Sequence, residues 1–144
     1  EIMSDRINLQ WLNVMFFDTE VNGHKLYLDA NEEKGGKDLG PRPKPLMMVA
    51  LAGCTGMDVV SILRKMRVEY DAFNVEVEAE QTEEHPVRYK SMKVIYRFTG
   101  KDLPKEKIEK AVSLSRERYC GVSANYSRAF SLDHEIVYDE KQKS

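Results

Sequence analysis

Two cysteines stand in contexts that could support thiol chemistry. Cys54 lies in Ala52-Gly53-Cys54-Thr55-Gly56-Met57-Asp58, inside an apolar run. Cys120 follows Arg118-Tyr119 and precedes Gly121, at the end of a charged amphipathic stretch. No local motif joins segments so far apart. If the fold brings them together, Cys54 is a nucleophile and Cys120 a resolving thiol that attacks a sulfenic acid on Cys54 and closes a disulfide. That requires the two Cα atoms to approach within about 7 Å. If the fold keeps them apart, both are ordinary small core thiols.

A reactive cysteine must spend time as thiolate. Burial opposes ionisation, and Asp58, four residues on and on the same helical face, opposes it further when charged. The helix dipole offers little, because Cys54 falls well beyond the first turn after Pro45, where that field fades. A working Cys54 therefore requires a cation from another segment. Arg42 in the preceding loop, Arg116 and Arg118 are the candidates. His24, His85 and His134 are scattered and no Cys-x-x-Cys or His-x-x-x-His spacing occurs, so the spacing predicts no metal site. Glu76, Glu78 and Glu80 read as a solvated strand face, and His134 as an inward strand residue between Leu132 and Ile136.

The elements that must position these residues follow from periodicity. Apolar residues from Leu9 to Phe17, then Asn22-Gly23, then Leu26 to Leu28, predict a hairpin over 9–30, since Asn-Gly suits a turn with two positive φ angles. The polar segment from Asn31 to Pro45 is a loop. Leu46, Val49, Ala50, Gly53, Met57, Val60 and Leu63 recur at helical spacing and predict a cysteine helix over 45–68. Its first half is apolar on almost every face, which predicts burial all round and so cover from a second copy of the chain. Alternation at Phe73, Val75, Val77 and at Met92, Val94, Tyr96, Phe98 predicts two strands within 73–99, with Lys93, Ile95 and Arg97 facing outward. Asp102 is read as the cap of a second helix over 103–120 that Gly121 ends. A last strand spans 129–138, and Asp139 to Ser144 is a charged tail. Paired strands with two helices predict an α+β class with mostly antiparallel sheets, in a single domain over 1–144.

Composition narrows the function. The chain has 144 residues, 32% charged and 42% hydrophobic, the profile of a globular domain. Its net charge of −2 gives no bulk attraction to nucleic acid or anionic membrane. The longest apolar stretch, Leu46 to Cys54, is far short of a membrane span. No basic, apolar, small-residue leader pattern opens the sequence, which predicts a cytoplasmic location and reduced thiols.

Gly40-Pro41-x-Pro43, leading into Leu46-Met47-x-x-Ala50-Leu51-Ala52-Gly53-Cys54-Thr55-Gly56-Met57-Asp58-Val59-Val60, resembles the OsmC/Ohr family. Ala111-Val112-x-Leu114-Ser115, followed by Arg118-Tyr119-Cys120, looks like that family's second-cysteine segment. The resemblance runs over residues 9–138 and is nearest to an OsmC-like branch with an Ala-Gly-Cys-Thr-Gly-x-Asp-Val signature. It implies an intertwined homodimer whose antiparallel sheets wrap long central helices. It also implies a thiol peroxidase without metal, haem or flavin. On that pattern Cys54 is the peroxidatic thiolate attacking organic or hydrogen peroxide, and Cys120 resolves the sulfenic acid. An external dithiol, such as a lipoyl-linked one, reduces the disulfide. The sequence departs from the pattern at the activating pair. Pro45 stands where the studied branches keep a glutamate, and no arginine lies between Asn8 and Asp29, which leaves Arg42 or an arginine near Cys120 as substitute activator. A second reading keeps the fold but replaces the peroxidase by binding of a small hydrophobic or thiol ligand, or by disulfide exchange. In a third, the cysteines are structural only.

Overall fold

The computed structural model describes residues 4–141. The chain forms two compact units, Glu1–Met47 and Met48–Ser144.

In the N-terminal unit, β1 (Gln10–Asn13), β2 (Phe16–Val21) and β3 (His24–Leu28) form an antiparallel sheet in chain order. Asn22 (φ 52°) and Gly23 (φ 82°) make the expected turn between β2 and β3. The apolar stretch from Leu9 to Phe17, expected to be one strand, breaks at Val14, whose φ of 49° starts a second tight turn. Trp11 Nε1 closes that turn by donating to the Val14 carbonyl at 3.0 Å. The predicted hairpin is thus a three-stranded meander. The loop that follows is organised by the buried Asp29 carboxylate, which accepts from the backbone N–H groups of Ala30, Lys37 and Leu39.

The C-terminal unit is built on the sheet β4 (Ala72–Gln81), β5 (Tyr89–Gly100) and β6 (Ser131–Glu140), with β5 in the centre. β4 pairs with β5 antiparallel, but β6 pairs with β5 in parallel. The parallel pair is the exception to the antiparallel expectation, and its cause is the helical crossover that joins the two strands. That crossover holds α2 (Lys105–Leu114), a π-helical segment (Ser115–Tyr119) and α3 (Gly121–Ala129). The second helix predicted over 103–120 therefore ends regular winding at Leu114. Cys120 breaks the chain direction with φ −79° and ψ 103°, and Gly121 opens a further helix rather than stopping one. Asp102 is not the cap of α2; Pro104 holds that position with no side-chain bond, and Asp102 sits in the preceding turn at φ 49°. Asp139 and Glu140 belong to β6, and Lys141 N–H donates to the Gly100 carbonyl at 3.0 Å. The rest of the predicted tail, residues 142–144, lies outside the described residues.

The cysteine helix, α1 (Leu46–Lys65), is long and apolar enough to cross a membrane by length and composition alone, a test that core helices also pass. Its Leu51, Thr55, Gly56, Val59 and Leu63 are buried. A Cβ on Gly56 would stand 3.3 Å from Val75 Cγ2, so a small residue lets the helix lie close on the sheet. The expectation of burial all round does not hold within the single chain. Val49 is 64% and Met57 77% exposed, because one sheet covers only one side of a helix. One strand assignment also changes. Ile95 is buried on the outer sheet face between its cross-strand partners Glu76 and Glu135. Those carboxylates pair with Arg97 and Lys93, whose aliphatic stems shield the isoleucine. His134 pairs with Val94 and so shares the inner face as expected, but it is exposed there, with its ring 6.5 Å from that of Tyr96 in an edge-on arrangement.

Candidate functional site

α1 carries Cys54 and Asp58 one turn apart, and the bend before α3 carries Cys120. The two sulfurs and an Asp58 carboxylate oxygen lie within 4.8 Å of one another. Both cysteines are free thiols; Cys54 is half-buried and Cys120 is 3% exposed. The proximity left open by the sequence is therefore met.

Cys120 is the N-cap of α3, and its sulfur accepts from the Ser123 backbone N–H at 3.3 Å. The backbone N–H of Val122, in the first turn of the same helix, favours the anion at Cys54. The two thiols thus share the N-terminus of one helix, whose unpaired N–H groups favour negative charge. This contribution was not visible in the sequence, because Gly121 was read as a stop. Val122, Tyr126 and Phe130 recur at helical spacing and were the available signal. Even so, burial pushes the Cys54 thiol up, as do the neighbouring Cys120 and the charge of Asp58, against the pull of Val122.

Asp58 is held from behind by a buried chain of hydroxyls. Tyr96 OH lies 2.7 Å from Thr55 Oγ1, Thr55 Oγ1 lies 2.8 Å from Ser115 Oγ, and Ser115 Oγ donates to Asp58 Oδ2 at 3.0 Å. Each hydroxyl has one proton, so with Asp58 ionised the chain has a direction: Tyr96 donates to Thr55, Thr55 to Ser115, and Ser115 to the carboxylate. Ser115 opens the π-helical segment, and Thr55, Tyr96 and Ser115 are all fully buried. None of the three was singled out by the sequence as part of the site. Burial raises the Tyr96 phenol, opposed by its bond to Thr55 and by the nearby Arg116 charge. Burial and Arg116 together lower His134.

Of the candidate activators, Arg116 is thus felt at Tyr96 and His134. Arg42 is engaged within the N-terminal unit: its guanidinium pairs with Asp38 and donates to the carbonyls of Gly40 at 3.0 Å and Asp29 at 3.4 Å. The dominant influences on Cys54 are burial, Cys120, Val122 and Asp58, and no cation is among them.

Comparison with known proteins agrees with this architecture. The model of the family described as OsmC-like protein matches residues 35–135. The chain is 31% identical over 127 residues to Protein YhfA of Escherichia coli K12, covering 88% of this chain and 92% of that protein. The chain belongs to the OsmC-like family. Among solved structures, a hypothetical protein from Aquifex aeolicus VF5 superposes with a TM-score of 0.83 at 23% identity, covering 98% of this chain and 100% of that one. The organic hydroperoxide resistance protein OhrB of Bacillus subtilis superposes with a TM-score of 0.64 at 15% identity, covering 93% and 98%. At these identities the two structures establish the shared α+β fold.

Proposed function

We propose that this chain is a cytoplasmic, homodimeric thiol peroxidase in which Cys54 is peroxidatic and Cys120 resolving. The observation that carries the reading is the pair of free sulfurs within 4.8 Å at one helix N-terminus. The Cys54 thiolate attacks one oxygen of a hydroperoxide, the O–O bond breaks, and the alkoxide leaves with a proton as alcohol. Cys54 is then a sulfenic acid. The Cys120 sulfur displaces its hydroxyl as water and forms the Cys54–Cys120 disulfide. An external dithiol restores both thiols and leaves as its own disulfide. The backbone N–H of Val122 favours the anion at Cys54, the part that an arginine plays in the related branches. Membership in a family that includes organic hydroperoxide resistance proteins supports the substrate class. The exposed apolar side of α1, with Val49, Met57 and Val60, is the face we assign to the second subunit.

Stopped-flow consumption of an organic hydroperoxide tests this. Cys54→Ser abolishes the reaction, whereas Cys120→Ser completes one turnover and stalls as sulfenic acid. Wild type reacting no faster than free cysteine at the same pH defeats the peroxidase reading. The raised Cys54 thiol favours, in that event, a protein that binds a small hydrophobic or thiol ligand or exchanges disulfides.

A further inference from the structure

We propose that the reduced chain binds a thiophilic divalent cation, zinc in the first instance, through Cys54 Sγ, Cys120 Sγ and one oxygen of Asp58. The three ligand atoms already lie within 4.8 Å of one another. A tetrahedral zinc with Zn–S near 2.3 Å and Zn–O near 2.0 Å holds such atoms about 3.5–3.8 Å apart, so closing on the ion takes a contraction of at most about 1.3 Å. Two sulfurs and a carboxylate are a zinc-type donor set, and hard cations such as magnesium would not select it. Three protein ligands leave a fourth position for water or a small ligand.

Each ligand also has an outer partner that leaves a lone pair free for the ion. Ser123 N–H donates to Cys120 at 3.3 Å and Ser115 Oγ to Asp58 Oδ2 at 3.0 Å, and the Val122 N–H favours the anion at Cys54. Such outer bonds orient metal ligands and temper their charge. Without an ion, Asp58 discourages ionisation of the thiol beside it. With one, the same carboxylate becomes a ligand, and the three negative groups are largely neutralised. Binding releases the two thiol protons and changes no oxidation state. The sequence hid this trio because Cys54 and Asp58 come from one helix and Cys120 from a distant bend. The same sulfurs serve the proposed peroxide reaction, so metal and peroxide compete. The metal site does not depend on that reaction taking place.

The test is anaerobic titration of the reduced full chain with cobalt(II), followed by zinc competition against a chromophoric chelator. One cobalt per chain is expected, with a near-ultraviolet sulfur-to-cobalt charge-transfer band that zinc abolishes. Cys54→Ser and Cys120→Ser, with their folds checked by circular dichroism, each weaken that band. Asp58→Asn keeps both sulfurs and lowers zinc affinity by at least about tenfold. A wild-type protein with no sulfur charge-transfer band at saturating cobalt overturns the proposal, as does zinc affinity unchanged by Asp58→Asn. Peroxide turnover measured separately in chelator distinguishes the two ideas. Turnover without the band removes the metal site alone, and the band without turnover removes the peroxidase alone.

Discussion

Replacing Thr55 with valine deletes one hydroxyl at the middle of the buried chain that supports Asp58, at nearly constant volume. Thr55 is fully buried, and its Oγ1 bonds Tyr96 OH at 2.7 Å and Ser115 Oγ at 2.8 Å. Ser115 retains Asp58, but the Tyr96 hydroxyl loses its acceptor inside the core. Two bonds at about 1 kcal/mol each, with a stranded buried donor adding about 1–2 kcal/mol, make Thr55→Val destabilising by about 3–4 kcal/mol. Tyr96→Phe leaves Thr55 bonded to Ser115 and costs about 1 kcal/mol. The combined variant strands no hydroxyl at Tyr96. It should therefore be more stable than the sum of the single effects by about 2–3 kcal/mol, because the Tyr96–Thr55 bond is lost once rather than twice and no donor is stranded. Urea unfolding of the four proteins at one fixed protein concentration measures the cycle. A Thr55→Val effect below about 0.5 kcal/mol, or strict additivity in the double variant, would refute the directed hydroxyl chain.

Three other outcomes follow from described geometry. Iodoacetamide labelling of Cys54 at neutral pH is slower than that of free cysteine and rises with pH, and Asp58→Asn speeds it, because burial, Cys120 and Asp58 all raise this thiol; mass spectrometry of the labelled peptide reads the rate. The folded state holds that proton more tightly than the unfolded chain does, so the associated stability is full below the unfolded thiol's range and is lost as pH rises through the folded value; Cys54→Ala flattens this alkaline limb in urea melts. Gly36→Ala disrupts the Asp29 loop, since its Cβ would fall 2.1 Å from the Ala30 carbonyl oxygen, and thermal unfolding shows the loss as a lower Tm.

The elements that carry strong periodicity were legible. The cysteine helix, both strands of the hairpin-like pair and the Asn22-Gly23 turn lie where spacing put them, within a few residues. What failed involved a tertiary override of a local signal. Val14 is β-branched and at φ 49°, so nothing in its type announces a turn. Gly121 is common after a helix, but here the chain restarts immediately, capped by a cysteine rather than by serine, threonine or aspartate. Ile95 matched an outward strand position because alternation cannot foresee that ion pairs will roof it. For the site, the two cysteines and Asp58 were visible. The hydroxyl chain was not, because threonine, serine and tyrosine at 55, 115 and 96 share no spacing and meet only in the folded unit.

The position of Cys120 at the cap of α3 ties covalent state to local order. Its sulfur holds the Ser123 N–H only while it points into the first turn of that helix. Drawing the sulfur onto Cys54 as a disulfide withdraws the cap, and a lost cap weakens a helix by about 1 kcal/mol. Nine residues, Gly121–Ala129, would then fray more readily in the oxidised chain than in the reduced one. If the proposed disulfide forms, the order of this short helix therefore distinguishes oxidised from reduced molecules.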